Sequence, residues 1–340
     1  MRYTFALILC LLASVSAAQD WEDRKMFNGT ATGPALRVLS STDTAIFAPI
    51  IERFVSDNPD VQVDYLVTGT ADINRVFRQD PGAYDIVISS AMDLQLKLAN
   101  DGFALRLRNV DHPAWAQWRQ SLFAFTTEPA AIVINRKAFT GQPIPKTRQD
   151  LIQAMRAAPG VFRNKVGTYD IRKSGLGYLF ATQDARASET FWRLMEVMGG
   201  LDARLYCCSG DMIDDLADGT ILIAYNVLES YARARIDSKD ALAIILPSDF
   251  PTTMMRTALV SNAAPQPKLA TEFIRHLITL TSSMGTADQP LPLLDPQRDE
   301  VGPATIALEP ALMTFLDALK RRKFLAEWED AIIQKPILDN

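Results

Sequence analysis

The chain of 340 residues is poor in the side chains that build most metal centres and hydrolytic sites. It holds two histidines, His112 and His276, and three cysteines. No H-E-x-x-H, C-x-x-C, G-x-S-x-G or phosphate-loop pattern occurs in it. Three cysteines cannot staple a disulfide scaffold. Basic residues number 35 against 40 acidic ones, a formal charge of −5, and no long basic run is present. That balance argues against nucleic acid and against an anionic membrane surface as partners. After the first twenty residues no apolar run is long enough to cross a bilayer. There is no internal repeat and no low-complexity tract.

What is present begins with an export signal. Arg2 precedes the apolar run Phe5–Ala13, and Ser16-Ala17-Ala18 follows with a small-x-small pattern. Cleavage is expected after Ala18. Cys10 lies inside the apolar run instead of at the cut, so lipidation is not expected. Loss of 18 from 340 residues leaves 322, enough for two domains with cores of their own. Loss of Arg2 takes the charge from −5 to −6. Cys207 and Cys208 then remain, adjacent in sequence in an oxidising compartment. A strained vicinal disulfide and two free thiols are both open to them.

Residues 19–34, with Gly29, Gly33 and Pro34, read as a flexible lead-in. From Leu36 the pattern alternates. Leu36–Leu39 is a strand, and Ile46, Phe47, Ile50, Ile51 and Phe54 mark a core-facing helix. Strands at 61–67 and 84–88 alternate with helices at 71–78 and 92–101. A β-rich stretch at 122–135 is broken at Pro129. A second set follows: strand 165–169, helices 177–184, 187–199 and 211–217, strand 220–225, helix 226–236 and strand 242–246. A strand at 257–262 and helices at 267–281, 305–316 and 316–333 close the chain. The rhythm predicts an α/β protein with two doubly wound α/β lobes. Lobe 1 is expected over 35–125 plus 255–340, and lobe 2 over 126–254, joined by two crossings.

Five strand-to-helix turns are rich in small polar residues: Ser40-Ser41-Thr42, Thr68-Gly69-Thr70, Ser89-Ser90, Arg172-Lys173-Ser174-Gly175, and Tyr225-Asn226. Ligands of open α/β sheets bind beyond the carboxyl ends of the strands. Helix N-termini there offer backbone N–H groups and partial positive charge, and small side chains admit a ligand closely. The ordinary role of such residues is helix capping; five turns in two lobes point to a site as well. Ser40, Ser41, Thr42, Thr70, Ser89, Ser90, Ser174, Gly175, Tyr225 and Asn226 are the candidate contacts. Arg172 is the candidate partner for an anion, since a guanidinium grips carboxylate or phosphate with two hydrogen bonds. Arg136 reads as a surface residue. Tyr206 and Tyr231 are further candidates for the walls.

Several segments resemble the periplasmic solute-binding proteins of ABC transporters, in particular the group related to the ferric-ion binders. They are Leu36-Arg37-Val38-Leu39-Ser40-Ser41, Tyr84-Asp85-Ile86-Val87-Ile88-Ser89-Ser90, Ser174-Gly175-Leu176-Gly177-Tyr178, Gly219–Asn226 and Ala263-Ala264-Pro265-Gln266-Pro267. The resemblance implies the type II periplasmic binding fold and capture of a solute between two lobes for an ABC transporter permease or a membrane sensor kinase. Ferric binders carry a tandem tyrosine where this chain has Leu228-Glu229. Iron(III) wants hard anionic oxygen donors, and leucine supplies none. Relatives without that pair include binders of phosphorylated sugars and of phosphorylated or carboxylated acids. The expected ligand is therefore a small anionic organic solute. No cofactor and no catalysis are expected, and the protein is expected to be a monomer. The alternatives are a ferric-ion binder with unusual ligands and a secreted enzyme built on carboxylates.

Overall fold

The computed structural model describes residues 21–28, 35–235, 241–283, 291–292, 294, 302 and 304–334. The export signal expected over 1–18 lies outside the described residues. The strands are β1 (Asp23–Asn28), β2 (Ala35–Ser40), β3 (Gln62–Val67), β4 (Ile86–Ser89), β5 (Gln117–Trp118), β6 (Leu122–Ala124), β7 (Glu128–Asn135), β8 (Val166–Tyr169), β9 (Arg204–Tyr206), β10 (Ile223–Leu228), β11 (Leu242–Ile245), β12 (Thr253–Met254) and β13 (Thr257–Val260). The α-helices are α1 (Thr44–Asp57), α2 (Thr70–Gln79), α3 (Met92–Asn100), α4 (Arg148–Ala157), α5 (Pro159–Phe162), α6 (Gly175–Ala187), α7 (Thr190–Gly200), α8 (Ser209–Ala217), α9 (Glu229–Arg235), α10 (Pro267–Ser283) and α11 (Ala318–Ile332).

One sheet has the order β1-β3-β2-β4-β13-β6-β5 and the other the order β11-β7-β10-β8-β9. Their centres are parallel: β2 runs with β3 and β4, and β10 and β9 run with β8. The strands that enter or return, β1, β13 and β7, pair antiparallel with them, and β11 pairs antiparallel with β7 at the edge. The central strands are apolar because both faces are covered. Leu36, Val38, Val63, Leu66 and Ile86 to Ile88 are fully buried, each worth about 1.5–3 kcal/mol of burial. Helix α1 buries Ile46, Phe47, Ile50, Ile51, Phe54 and Val55, the stripe its spacing requires. Helix α4 starts in a capping box between Thr147 and Asp150.

Three expectations need correction. Residues 23–28 are not lead-in: they form an edge strand, laid on β3 by main-chain pairing and by the Arg24–Asp64 ion pair. Only Phe27 of that strand is buried, so no apolar alternation marks it. The strand expected at 220–225 runs from 223 to 228, because Gly219 turns with a positive φ and delays its start. Last, α11 does not lie on lobe 1. It packs on α7 of lobe 2 through Phe324, Trp328 and Ile332, and the Cβ position of Gly199 lies 2.3 Å from the Ala331 carbonyl oxygen.

The lobes are joined by a ribbon in which β7 pairs with β12 at Pro129–Thr253 and Glu128–Met254. Pro129 thus lies within a strand, at its start, where a missing N–H is tolerated. A further passage follows near the C-terminus. The 3-10 turn Pro310–Leu316 packs on α3, and the chain continues into α11 on the other lobe.

Candidate functional site

The carboxyl ends of β2, β3, β4, β8 and β9 all lead into helices at one cavity. Its walls come from both lobes: Ser41, Asp43, Thr68, Gly69, Thr70 and Ser90 on one side, and Tyr169, Ser174, Leu176, Cys207, Cys208, Ser209, Leu228 and Tyr231 on the other. Glu22 stands at the edge, and Arg256 joins the lining from the interlobe ribbon. The cavity measures about 50 Å³. A void of roughly 150 Å³ is needed for benzene, so this cavity is too small for such a solute unless its walls move apart.

Five helices, α1, α2, α3, α6 and α8, begin at this cavity. The first turn of each has N–H groups without partners inside the helix. Several hydroxyls build the turns themselves. Ser40 Oγ accepts the Thr42 N–H at 3.0 Å, Ser89 Oγ accepts the Ala91 N–H at 3.1 Å, and Ser174 Oγ caps α6 through the Gly177 N–H at 3.1 Å. Ser41 Oγ accepts the Ser90 N–H at 3.3 Å and so ties two turns together. Across the cleft, Thr70 Oγ1 accepts the Leu176 N–H at 3.1 Å. A lobe 1 hydroxyl thereby occupies a lobe 2 helix terminus in the closed form.

A carboxylate of the chain does the same elsewhere. Glu22 accepts a hydrogen bond from the Gly69 N–H at the start of α2. Burial, then Asp43, Asp211 and Asp72, raise the Glu22 pKa against the effect of that hydrogen bond.

A latch closes one flank. Asp43 Oδ1 accepts from the Tyr231 hydroxyl at 3.0 Å, and Asp43 Oδ2 accepts from Arg235 Nη2 at 2.8 Å. At the ribbon, Arg256 pairs with Glu128 through Nε at 2.9 Å and Nη2 at 3.0 Å. Its Nη1 donates to Thr42 Oγ1 at 2.7 Å, and Ser230 Oγ donates to Glu128 at 2.5 Å. This fully buried pair is thus held from both lobes.

Of the residues expected from sequence, Ser41, Thr70, Ser90 and Ser174 reach the cavity together. Ser40, Thr42 and Ser89 lie behind it and hold the turns. Gly175 sits at the contact between lobes: its Cβ position lies 3.0 Å from Leu94 Cδ1 and 3.2 Å from both Ala91 Cβ and the Thr70 carbonyl carbon. Arg172 is not at the cavity. Asp170 holds its Nε at 2.7 Å and its Nη2 at 2.8 Å, Glu329 takes Nη1, and Trp328 lies beneath. Arg136 bonds the Leu242 carbonyl oxygen on the far edge of the sheet, and Tyr206 bonds Asp215. Tyr225 and Asn226 are also absent from the lining. With β10 shifted toward the C-terminus, they sit at a bulge, Asn226 at φ +62, and both bond Asp184 inside lobe 2.

The sequence reading missed Glu22, Asp43, Tyr169, Leu176, Ser209 and Arg256. Glu22 lay in a segment without periodicity, and Arg256 acts from a crossing strand that no local pattern marks. Cys207 and Cys208 are free thiols at the wall. The hydrogen bond between them lowers the pKa of Cys207, opposed by burial and by Asp211 and Glu22. Leu228 lines the cavity where ferric binders carry tyrosine. Burial raises the pKa of both Tyr169 and Tyr231, which keeps their phenols neutral.

No protein-family model matches this chain, and no curated protein matches its sequence. Solved structures do. The substrate-binding protein of the ABC transporter from Agrobacterium tumefaciens superposes with a TM-score of 0.83 at 30% identity, over 91% of this chain and 98% of that one. The chain belongs to the substrate-binding proteins of ABC transporters. The binding protein shares its fold with the periplasmic binding protein AfuA from Actinobacillus pleuropneumoniae, solved with fructose-6-phosphate bound (TM-score 0.70, 12% identity, 90% and 100% covered). It also shares it with iron-bound HitA from Pseudomonas aeruginosa (TM-score 0.62, 14% identity, 87% and 99% covered). The expected type II periplasmic binding fold of the ferric-binder-like group is therefore the fold of this chain.

Proposed function

We propose that this binding protein works in the periplasm, where its lobes close on a small anionic organic solute and present it to an ABC importer. The observation that carries the reading is the convergence of five helix N-termini on one hydroxyl-lined cavity. Such termini attract a phosphate or carboxylate, and Glu22 at Gly69 is an example from within the chain. The anion therefore needs no dedicated surface arginine: backbone N–H groups, Ser41, Thr70, Ser90 and Ser174 replace the role first assigned to Arg172. AfuA, with a sugar phosphate bound, lends support by analogy. Leu228 and the neutral tyrosines argue against the iron reading, because iron(III) binds phenolates. Catalysis is not part of this reading: Asp43 is committed to Tyr231 and Arg235. Delivery to a sensor kinase in place of a permease would use the same closure.

Thermal unfolding against phosphorylated sugars, phosphorylated and carboxylated short acids, thiamin and iron(III) tests this. A solute of the right class at about one hundred times its Kd should add about 2.7 kcal/mol of stability. Thr70→Val with Ser174→Ala should then weaken its binding at least about ten-fold, roughly the loss of 1.4 kcal/mol. Stabilisation by iron(III) or by cationic solutes alone would overturn the reading.

A further inference from the structure

Two of the chain's three cysteines stand side by side on the cleft wall as free thiols. Free cysteine is ordinarily among the most buried residues, yet Cys207 is exposed and Cys208 half-buried. They close the turn after β9, and Asp211 lies in the first turn of α8. The spacing i, i+1, i+4 folds the carboxylate back toward the thiols. Cys207 Sγ is 3.6 Å from Asp211 Oδ2, and ligand atoms of all three residues lie within 4.8 Å of one another. In a tetrahedral site with metal–sulfur bonds near 2.3 Å and metal–oxygen bonds near 2.1 Å, ligand atoms are roughly 3.5–4 Å apart.

The surroundings favour a cation. Glu22, Asp23, Asp43 and Asp211 share the recess beside the thiols with one guanidinium, Arg235, which Asp43 and Asp214 already hold. Two sulfurs and one carboxylate select a borderline or soft ion over magnesium or calcium.

We propose that Cys207, Cys208 and Asp211 form a binding site for a thiophilic divalent cation, of the zinc or cadmium kind, on the wall of the cleft. Binding forms two metal–sulfur bonds and one metal–oxygen bond and releases the thiol protons to solvent. Three protein ligands leave one coordination position, as in zinc sites that exchange their fourth ligand. Cys207 and Cys208 share the cavity wall with Ser41, Thr70 and Ser90, so a bound cation would stand beside the solute contacts.

The test uses the full exported chain, made without a histidine tag, reduced with a phosphine and stripped of metal. Cobalt(II) titration should saturate at one equivalent with a thiolate-to-cobalt charge-transfer band, and zinc(II) should displace it. Cys207→Ser and Cys208→Ser should each abolish the band, and Asp211→Asn should weaken binding at least ten-fold. Saturating zinc(II) should also protect both thiols from a disulfide reagent. Unfolding midpoints of the variants report whether they remain folded. A titration that does not saturate, a double serine variant that binds like the parent, or thiols that stay reactive under zinc(II) would each overturn the site.

Discussion

Arg148 sits fully buried in lobe 2 with its charge satisfied from four directions. Its Nε donates to Tyr225 at 2.7 Å, Nη2 to Asp184 at 3.2 Å, and Nη1 to Asp249 at 3.2 Å and to the Phe250 carbonyl oxygen at 3.1 Å. Asp184 also takes Asn226 and Thr252. Tyr225 and Asn226 are thus parts of a core polar network, although their sequence context looked like a contact turn. Arg148→Met leaves Asp184 buried without its cation and should cost about 3–5 kcal/mol. Urea unfolding measures that loss, and solute affinity should hardly change. Asp93 is a second buried acid, in the first turn of α3, with its carboxyl pushed up to about 7, chiefly by desolvation. A raised carboxyl pKa means that the native state holds the proton more tightly than the unfolded chain. That contribution is whole below about pH 4 and lost as pH rises through about 7. Asp93→Asn should flatten the stability profile across that window and gain up to about 4 kcal/mol at pH 8. Equal slopes for parent and variant would contradict the assignment. Neither network could be read from sequence, because spacing does not reveal which polar residue will be buried.

At the scale of elements, the helices and the central strands were legible because apolar spacing and caps repeat every few residues. Ile46 to Phe54 in α1 and Thr147 before α4 are clear cases. An element held by pairing alone was not, since β1 has one buried residue, and the buried strand β10 began three residues later than its apolar run suggested. That three-residue shift removed two expected contacts from the cavity. Gly175 shows what an element boundary can control. A larger side chain there meets Leu94, Ala91 and Thr70 of the opposite lobe while each lobe stays intact. Gly175→Leu should lower solute affinity about ten-fold or more, near 1.4 kcal/mol, with little change in the unfolding midpoint of the empty protein. The Asp43–Arg235 latch is partly exposed, so it is weaker. Arg235→Ala should loosen binding roughly two- to five-fold, as an exposed pair of up to about 1 kcal/mol implies. Stopped-flow dissociation would show the change mainly in the off-rate.

The whole molecule is two sheets whose strand ends face one another, so that neither lobe alone completes the site. Alternating strands and helices made that plan readable, and hydroxyl-rich turns placed the cleft. The composition of its wall was not readable, since Glu22, Tyr169 and Arg256 meet there from distant parts of the chain. The passage from the 3-10 turn at 310–316 into α11 adds a mechanical consequence. A single ribbon between two bodies can bend and can also twist. A link anchored on α3 at one end and on α7 at the other acts as a stay, and a stay set apart from the ribbon resists wringing while it permits swing. The motion expected of this molecule is then opening and closing along one coordinate. Distance histograms between dyes on either side of the cleft should accordingly resolve two narrow peaks that exchange weight as solute is added, with no broad continuum between them.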